Sequence, residues 1–141
     1  MRVFLDANVL FSAAYRETGS VRAFFLLADA GACELVSSAY AVDEARRNIR
    51  AKHPERSGDL ESLLRRIALC PEPAVGTLAW AATHRLPPKN APILAAAVDA
   101  RCHLLVTGDR THFGTLFGRK FRRTVVMLPV DAIELLVGKE G

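Results

Sequence analysis

Long apolar runs are missing from these 141 residues. None approaches the ~20 apolar residues of a bilayer-spanning helix, so no membrane is expected. The start, "MRVFLDAN", reaches an acid at Asp6 and lacks the apolar core of a leader. Cysteine is scarce: Cys33, Cys70 and Cys102 are odd in number, far apart and form no C-x-x-C. That excludes a disulfide framework and predicts reduced, mostly buried thiols in a cytoplasmic protein. His53, His84, His103 and His112 show no zinc spacing with the cysteines. "VGTLAW" and "VTGD" carry single glycines and are not phosphate loops. No serine stands in a nucleophile elbow. Repeats, low-complexity tracts and linkers are also absent, so residues 1–141 are expected to form one domain.

What is present fits a globular chain: 50% hydrophobic and 24% charged residues. The net charge of +4 is a mild hint of a polyanionic partner. The densest charge run, "RKFRR" (119–123), reads as a solvated loop. Short apolar strands are expected at "RVFL", "CELVSS", "HLLV" and "TVVML", with a brief one at "PAV" (73–75). Helices are expected at "NVLFSAAYR", at "VRAFFLLADA" capped by Ser20 and stopped by Gly31, and at "AYAVDEARRNIRAKH". Others follow at "DLESLLRRIALC" up to Pro71, around "TLAWAATH", after "LPPKN", and at "VDAIELL". Trp80, Phe24 and Phe25 sit in helical apolar patterns and read as core. Strands alternate with helices, and the strands lack polar alternation. Both features predict a three-layer α/β/α sandwich around a mostly parallel sheet of four to five strands.

In open sheets of this kind, ligands bind beyond the carboxyl ends of the strands. Two acids stand there: Asp6 follows "VFL" and Asp109 follows "LLVTG". Either can equally cap the helix after it. In "AYAVDEARRNI", Val42, Ala45 and Ile49 share one face. Glu44 lies at the border of that face and can reach a cleft, while Asp43 points to water. A surface pairing of Glu44 with Arg47 or Asn48 is the alternative. Carboxylates about 4 Å apart repel by roughly 4 kcal/mol at an effective dielectric near 20. A hard divalent cation removes that cost, and oxygen ligands select Mg²⁺ or Mn²⁺. Such ions serve phosphoryl chemistry. Asn90 stands where a helix N-cap belongs, ahead of "APILAAAV".

"VFLDANVLFSA", "SAYAVDEARRNI" and "KNAPILAAAV…LLVTGDRTHF", in this order and spacing, resemble the PIN-domain nucleases, which include the VapC-type toxins of bacterial toxin–antitoxin pairs. The resemblance covers nearly the whole chain. It implies a PIN-like fold, a ribonuclease using Mg²⁺ or Mn²⁺, an RNA substrate, an antitoxin partner and a homodimer. It maps the family's acids onto Asp6, Glu44 and Asp109, with Asn8, Ser12 and Thr107 as supporting polar groups. The remaining acid maps onto Asn90, so an amide replaces the usual aspartate. The carbonyl can still coordinate a cation, but it carries no charge and cannot act as a base. Asp99, nine residues along the same helix, is about 13 Å away and offers no substitute. Asp131 has no evident route to the site.

Three explanations stay open: a slow site, a degenerate binding module, or an introduced change that silences a nuclease. Arg46, Arg47, Arg50 and Lys52 could hold an RNA backbone or simply form a solvated face. His112 could approach a scissile phosphate or be an ordinary loop histidine. A phosphatase or receiver-like domain is disfavoured, because paired early acids and a late lysine are both missing.

Overall fold

The computed structural model describes residues 1–16 and 19–140. Among these residues, six strands form one sheet: β1 (Arg2–Leu5), β2 (Glu34–Ser38), β3 (Ala68–Cys70), β4 (Leu104–Val106), β5 (Lys120–Phe121) and β6 (Thr124–Met127). Their order is β3-β2-β1-β4-β6-β5, parallel throughout except for the antiparallel β5–β6 pair. Val3, Phe4 and Leu5 of β1 and Leu104, Leu105 and Val106 of β4 are buried, as central strands covered on both faces must be. Among the described residues, eight α-helices flank the sheet: α1 (Ala7–Tyr15), α2 (Ala23–Asp29), α3 (Ala39–Lys52), α4 (Ser57–Leu64), α5 (Val75–Ala82), α6 (Ala91–Asp99), α7 (Arg110–Phe113) and α8 (Pro129–Glu140). Helix α1 packs on α3 and α4, and α5 packs on α6. Phe4, Phe24, Phe25 and Phe113 are among the largest fully buried side chains, and Trp80 packs partly buried against this core.

The α/β architecture agrees with the sequence reading, and five details correct it. The sheet has six strands rather than four to five. Residues 68–70 form edge strand β3, not the end of a helix, because the helix stops at Leu64 and Val36 to Ser38 pair with Ala68 to Cys70. No strand forms at "PAV", where Ala74 and Val75 instead start α5. The run "RKFRR" contains β5, paired through Lys120 to Val125 and Phe121 to Thr124. Ser20 makes no cap: it opens a 3₁₀ turn, Ser20–Arg22, that leads into α2.

Helices α5 and α6 are fastened to each other. The Asp99 carboxylate, in the last turn of α6, accepts from the Ala74 N–H at 2.7 Å and from the Thr77 hydroxyl at 2.7 Å. It thereby caps α5 from a neighbouring helix, satisfying a donor that α5 cannot bond internally. Asp99→Ala should therefore cost about 1 kcal/mol and lower the midpoint of thermal unfolding by about 3–5 °C. Differential scanning calorimetry of the two chains checks this. An unchanged midpoint would reject the cap.

Candidate active site

The chain runs from β1 outward to β2 and β3, then returns to place β4 on the other side of β1. The carboxyl ends of β1 and β4 thus frame the point where strand order reverses, the position at which open α/β sheets bind ligands. Asp6 follows β1, and Thr107, Gly108 and Asp109 follow β4.

These residues are knotted together. Asp6 is 3% exposed. Its Oδ1 accepts from the Ala7 N–H at 2.7 Å, which starts α1. Its Oδ2 accepts from the Thr107 hydroxyl at 2.9 Å and the Asn8 amide at 3.3 Å. Thr107 Oγ1 in turn accepts from Asn8 Nδ2 and from the Asp109 N–H, each at 3.1 Å. Asn8 Oδ1 accepts from the Gly108 N–H at 2.7 Å. A Cβ at residue 108 would lie 3.3 Å from that same Oδ1, so glycine allows the close approach. Burial pushes the Asp6 carboxyl up to about 6; bonds from Thr107 and Ala7 oppose the shift, and the charges of Glu44 and Asp109 add to it.

Asp109 is both a helix cap and a partner of His112. Its Oδ1 accepts from the His112 N–H at 3.0 Å, capping α7, and its Oδ2 lies 2.7 Å from His112 Nδ1. Partial burial would raise its pKa. The His112 backbone and ring bonds, with the charges of His112 and Lys89, outweigh burial and hold it below the ordinary value. Glu44 is half-buried on α3, whereas Asp43 is exposed, as the helical wheel anticipates. Glu44 and Asp109 line an open cavity of about 410 Å³ together with Asn8, Ser12 and Gly108.

Asn90 is 7% exposed and precedes α6, but its side chain does not cap that helix. Its backbone is already helical (φ −100°, ψ −23°), whereas a capping side chain needs an extended backbone. Asn90 Nδ2 instead points at Asp109 Oδ2, 3.5 Å away. Its Oδ1 is buried and has no hydrogen-bond partner among the described residues.

The three arginines predicted beside Glu44 part company. Arg46 is bound to Glu61 of α4 by two hydrogen bonds, 3.0 and 2.8 Å. Arg50 lines a separate cavity with Arg46 and Glu61. Arg47 alone lies on the stripe of Tyr40 and Glu44, close enough for its charge to act on Tyr40. Two neighbours of the site escaped the sequence reading. Tyr40, four residues before Glu44, donates its hydroxyl to the Lys89 carbonyl at 2.8 Å and so ties α3 to the segment carrying Asn90. Lys89 sends its charge toward Asp109. The i, i+4 spacing to Glu44 was the available signal for Tyr40.

Among the described residues, no three His, Cys, Asp or Glu side chains come together closely enough to hold a metal ion. The donors nevertheless suit a hard divalent cation in kind: carboxylate oxygens, one of them desolvated, and an amide carbonyl left without a partner. Asp109 Oδ2 is directed at His112 Nδ1, 2.7 Å away.

The fold is an open α/β sheet with acids at its switch point, and comparison with known proteins specifies the family. Residues 2–111 match the PIN domain family model, and the chain belongs to that family. The structure is similar to VapBC2 from Rickettsia felis bound to a DNA fragment from their promoter: 16% identity over 91% of this chain and 98% of that one, TM-score 0.70. It is also similar to PAE2754 from Pyrobaculum aerophilum (15%, 98% and 96%, 0.68). FitAcB from Neisseria gonorrhoeae is similar as well (19%, 91% and 98%, 0.58). No curated protein sequence matches significantly.

A folded-state pKa of about 6 against an ordinary 3.8 means that folding favours protonated Asp6. Its contribution is full below pH 3.8 and is lost as pH rises through about 6. The shift amounts to about 3 kcal/mol. In chelator, urea midpoints should therefore fall between pH 4 and 7, and Asp6→Asn should flatten that decline. An equally steep decline in the variant would show that Asp6 does not cause it.

Proposed function

We propose that the chain is a divalent-cation-dependent endoribonuclease that hydrolyses RNA phosphodiester bonds as the toxin of a toxin–antitoxin pair. The carrying observation is the buried, desolvated Asp6 at the switch point, next to Asp109 and under the charge of Glu44. Membership of the PIN-domain family and the likeness to VapBC2 support the same reading. Asp6, Glu44 and Asp109, with the free carbonyl of Asn90, would hold Mg²⁺ or Mn²⁺. When bound, such an ion supplies Lewis acidity toward a phosphodiester and makes water a better nucleophile at neutral pH. Asn8 and Thr107 orient Asp6, and Ser12 lines the cavity where RNA would enter. Arg47 offers a phosphate contact on the rim. His112 holds the Asp109 carboxylate in place through its backbone N–H and its ring. The cytoplasm, a homodimer and an antitoxin that fills the acidic cavity complete the proposal. No helix among the described residues is long and apolar enough to cross a membrane.

A second reading rests on Asn90, whose amide faces Asp109 in place of a charge. The chain would then bind RNA or an antitoxin-like protein without cutting. Asn90→Asp separates the two. A second carboxylate about 4 Å from Asp109 adds roughly 4 kcal/mol of repulsion at an effective dielectric near 20. The variant should melt lower than the parent in chelator and gain more from Mn²⁺, since an ion that binds only the folded chain stabilises it. Under the nuclease reading, the parent cleaves single-stranded RNA with Mn²⁺, EDTA stops it, Asp6→Asn abolishes it, and Asn90→Asp accelerates it. Cleavage by Asn90→Asp alone would establish the silent binder. Cleavage by neither chain at millimolar Mn²⁺ would reject the nuclease.

A further inference from the structure

The basic run at residues 119–123 takes no part in the site above. Strand β5 pairs with the amino-terminal half of β6, Lys120 with Val125 and Phe121 with Thr124. Val125 is level with Leu104, whereas Asp109 lies beyond the carboxyl end of β4. The hairpin turn is therefore about 13 Å from the level of Thr107 along the strands and about 10 Å to the side, across two strand spacings.

Four cations crowd this hairpin: Arg119, Lys120, Arg122 and Arg123, all exposed. No ion pair restrains any of them among the described residues. Two lie over aromatic rings instead. The Arg122 guanidinium lies 4.4 Å from the Trp80 ring centre, and that of Arg119 lies 5.1 Å from Phe121. His84 packs edge-to-face with both Trp80 and Phe121, at 4.7 and 5.0 Å. Arg122 adopts φ +57° in the two-residue turn, where glycine or asparagine is preferred. A fifth cation, Arg101, also has a left-handed backbone, φ +57°. Its loop adjoins the turn, because the Cys102 carbonyl accepts from the Thr124 hydroxyl at 2.7 Å. Left-handed positions filled by arginine, against local preference, direct attention to what the side chains do.

We propose that this hairpin, with Trp80, Arg101 and Arg119 to Arg123, is a second RNA-docking surface that anchors a single strand away from the cavity. Unpaired guanidinium and ammonium groups meet phosphates, and a half-buried Trp under a guanidinium offers a stacking platform for a base. Planar groups interleaved with cations suit an unpaired strand better than a duplex, whose bases are already stacked. The choice of RNA rests on the nuclease reading, but docking does not depend on cleavage.

The test measures binding of a 20-nucleotide single-stranded RNA in EDTA, so that nothing is cut. One double variant is Lys120→Gln with Arg123→Gln, which touch no ring among the described residues. The other is Arg119→Gln with Arg122→Gln, which do. Each pair should weaken binding about tenfold and reduce the slope of log affinity against log salt by about 1.4, since each single-strand phosphate contact contributes about 0.7. The first pair should leave the melting temperature unchanged, and a Trp80 fluorescence change on RNA binding should disappear in the second. Unchanged affinity and slope in both pairs would overturn the proposal. So would a loss confined to the second pair together with a lower melting temperature, which marks a structural role. Tighter binding of duplex DNA or polyglutamate than of RNA would overturn it as well. RNA bound at the hairpin by a chain that never cuts would reject the nuclease and keep the docking surface.

Discussion

The carboxylate of Asp6 is the point from which the functional end of the molecule is organised. It accepts from Ala7 to begin α1 and from Thr107 to tie β1 to β4, and Thr107 then positions the Asp109 backbone. An acid buried among apolar strands is costly unless each lone pair is met. Here the donors are all local to the strand ends, and the Asn8 amide serves both sides of the knot at once. Removing any one donor would leave a buried acceptor short. That is why the "TGD" turn and the "DAN" turn act as one structural unit although about a hundred residues separate them.

Asp109 faces the opposite situation. It is partly exposed, and two bonds from His112 hold its charge in place. The pair Asp6 and Asp109 therefore divides two tasks: a desolvated carboxylate that gains from a cation, and a solvated one kept ionised by its neighbours. Asn90 stands beside the second of these with an unused carbonyl. An aspartate at the same place would face Asp109 without a proton to share. The amide removes that repulsion but leaves a buried carbonyl without a hydrogen bond among the described residues.

The central strands, the acids at their ends and the inward tilt of Glu44 were legible in the sequence because each follows from a short-range rule: apolar runs, strand-end position and helical phase. Strand β3 was hidden because Ala68, Leu69 and Cys70 continue the apolar pattern of the preceding helix, and only pairing with β2 makes them a strand. Strand β5 is two residues long and lies inside a charge run. Pairings of this kind are tertiary and leave no local trace. The separate fates of the arginines were legible in principle. At 100° per residue, Arg47 falls near Glu44, while Arg46 and Arg50 fall toward α4. The failed cap at Asn90 was not legible, because the Pro87 carbonyl accepts from both the Asn90 and Ala91 N–H groups and curls the backbone early.

The placement of acids and cations gives the sheet an electrical polarity that a net charge of +4 conceals. Asp6 and Asp109 lie at the carboxyl end, and the Arg122–Arg123 turn lies toward the amino end. Under the docking proposal, a polyanion meets its attraction at the hairpin and its repulsion at the acids. Only neutralisation of the acids would flatten that gradient. If the proposed docking holds, positive charge in the cavity would also bias which way round a strand comes to lie.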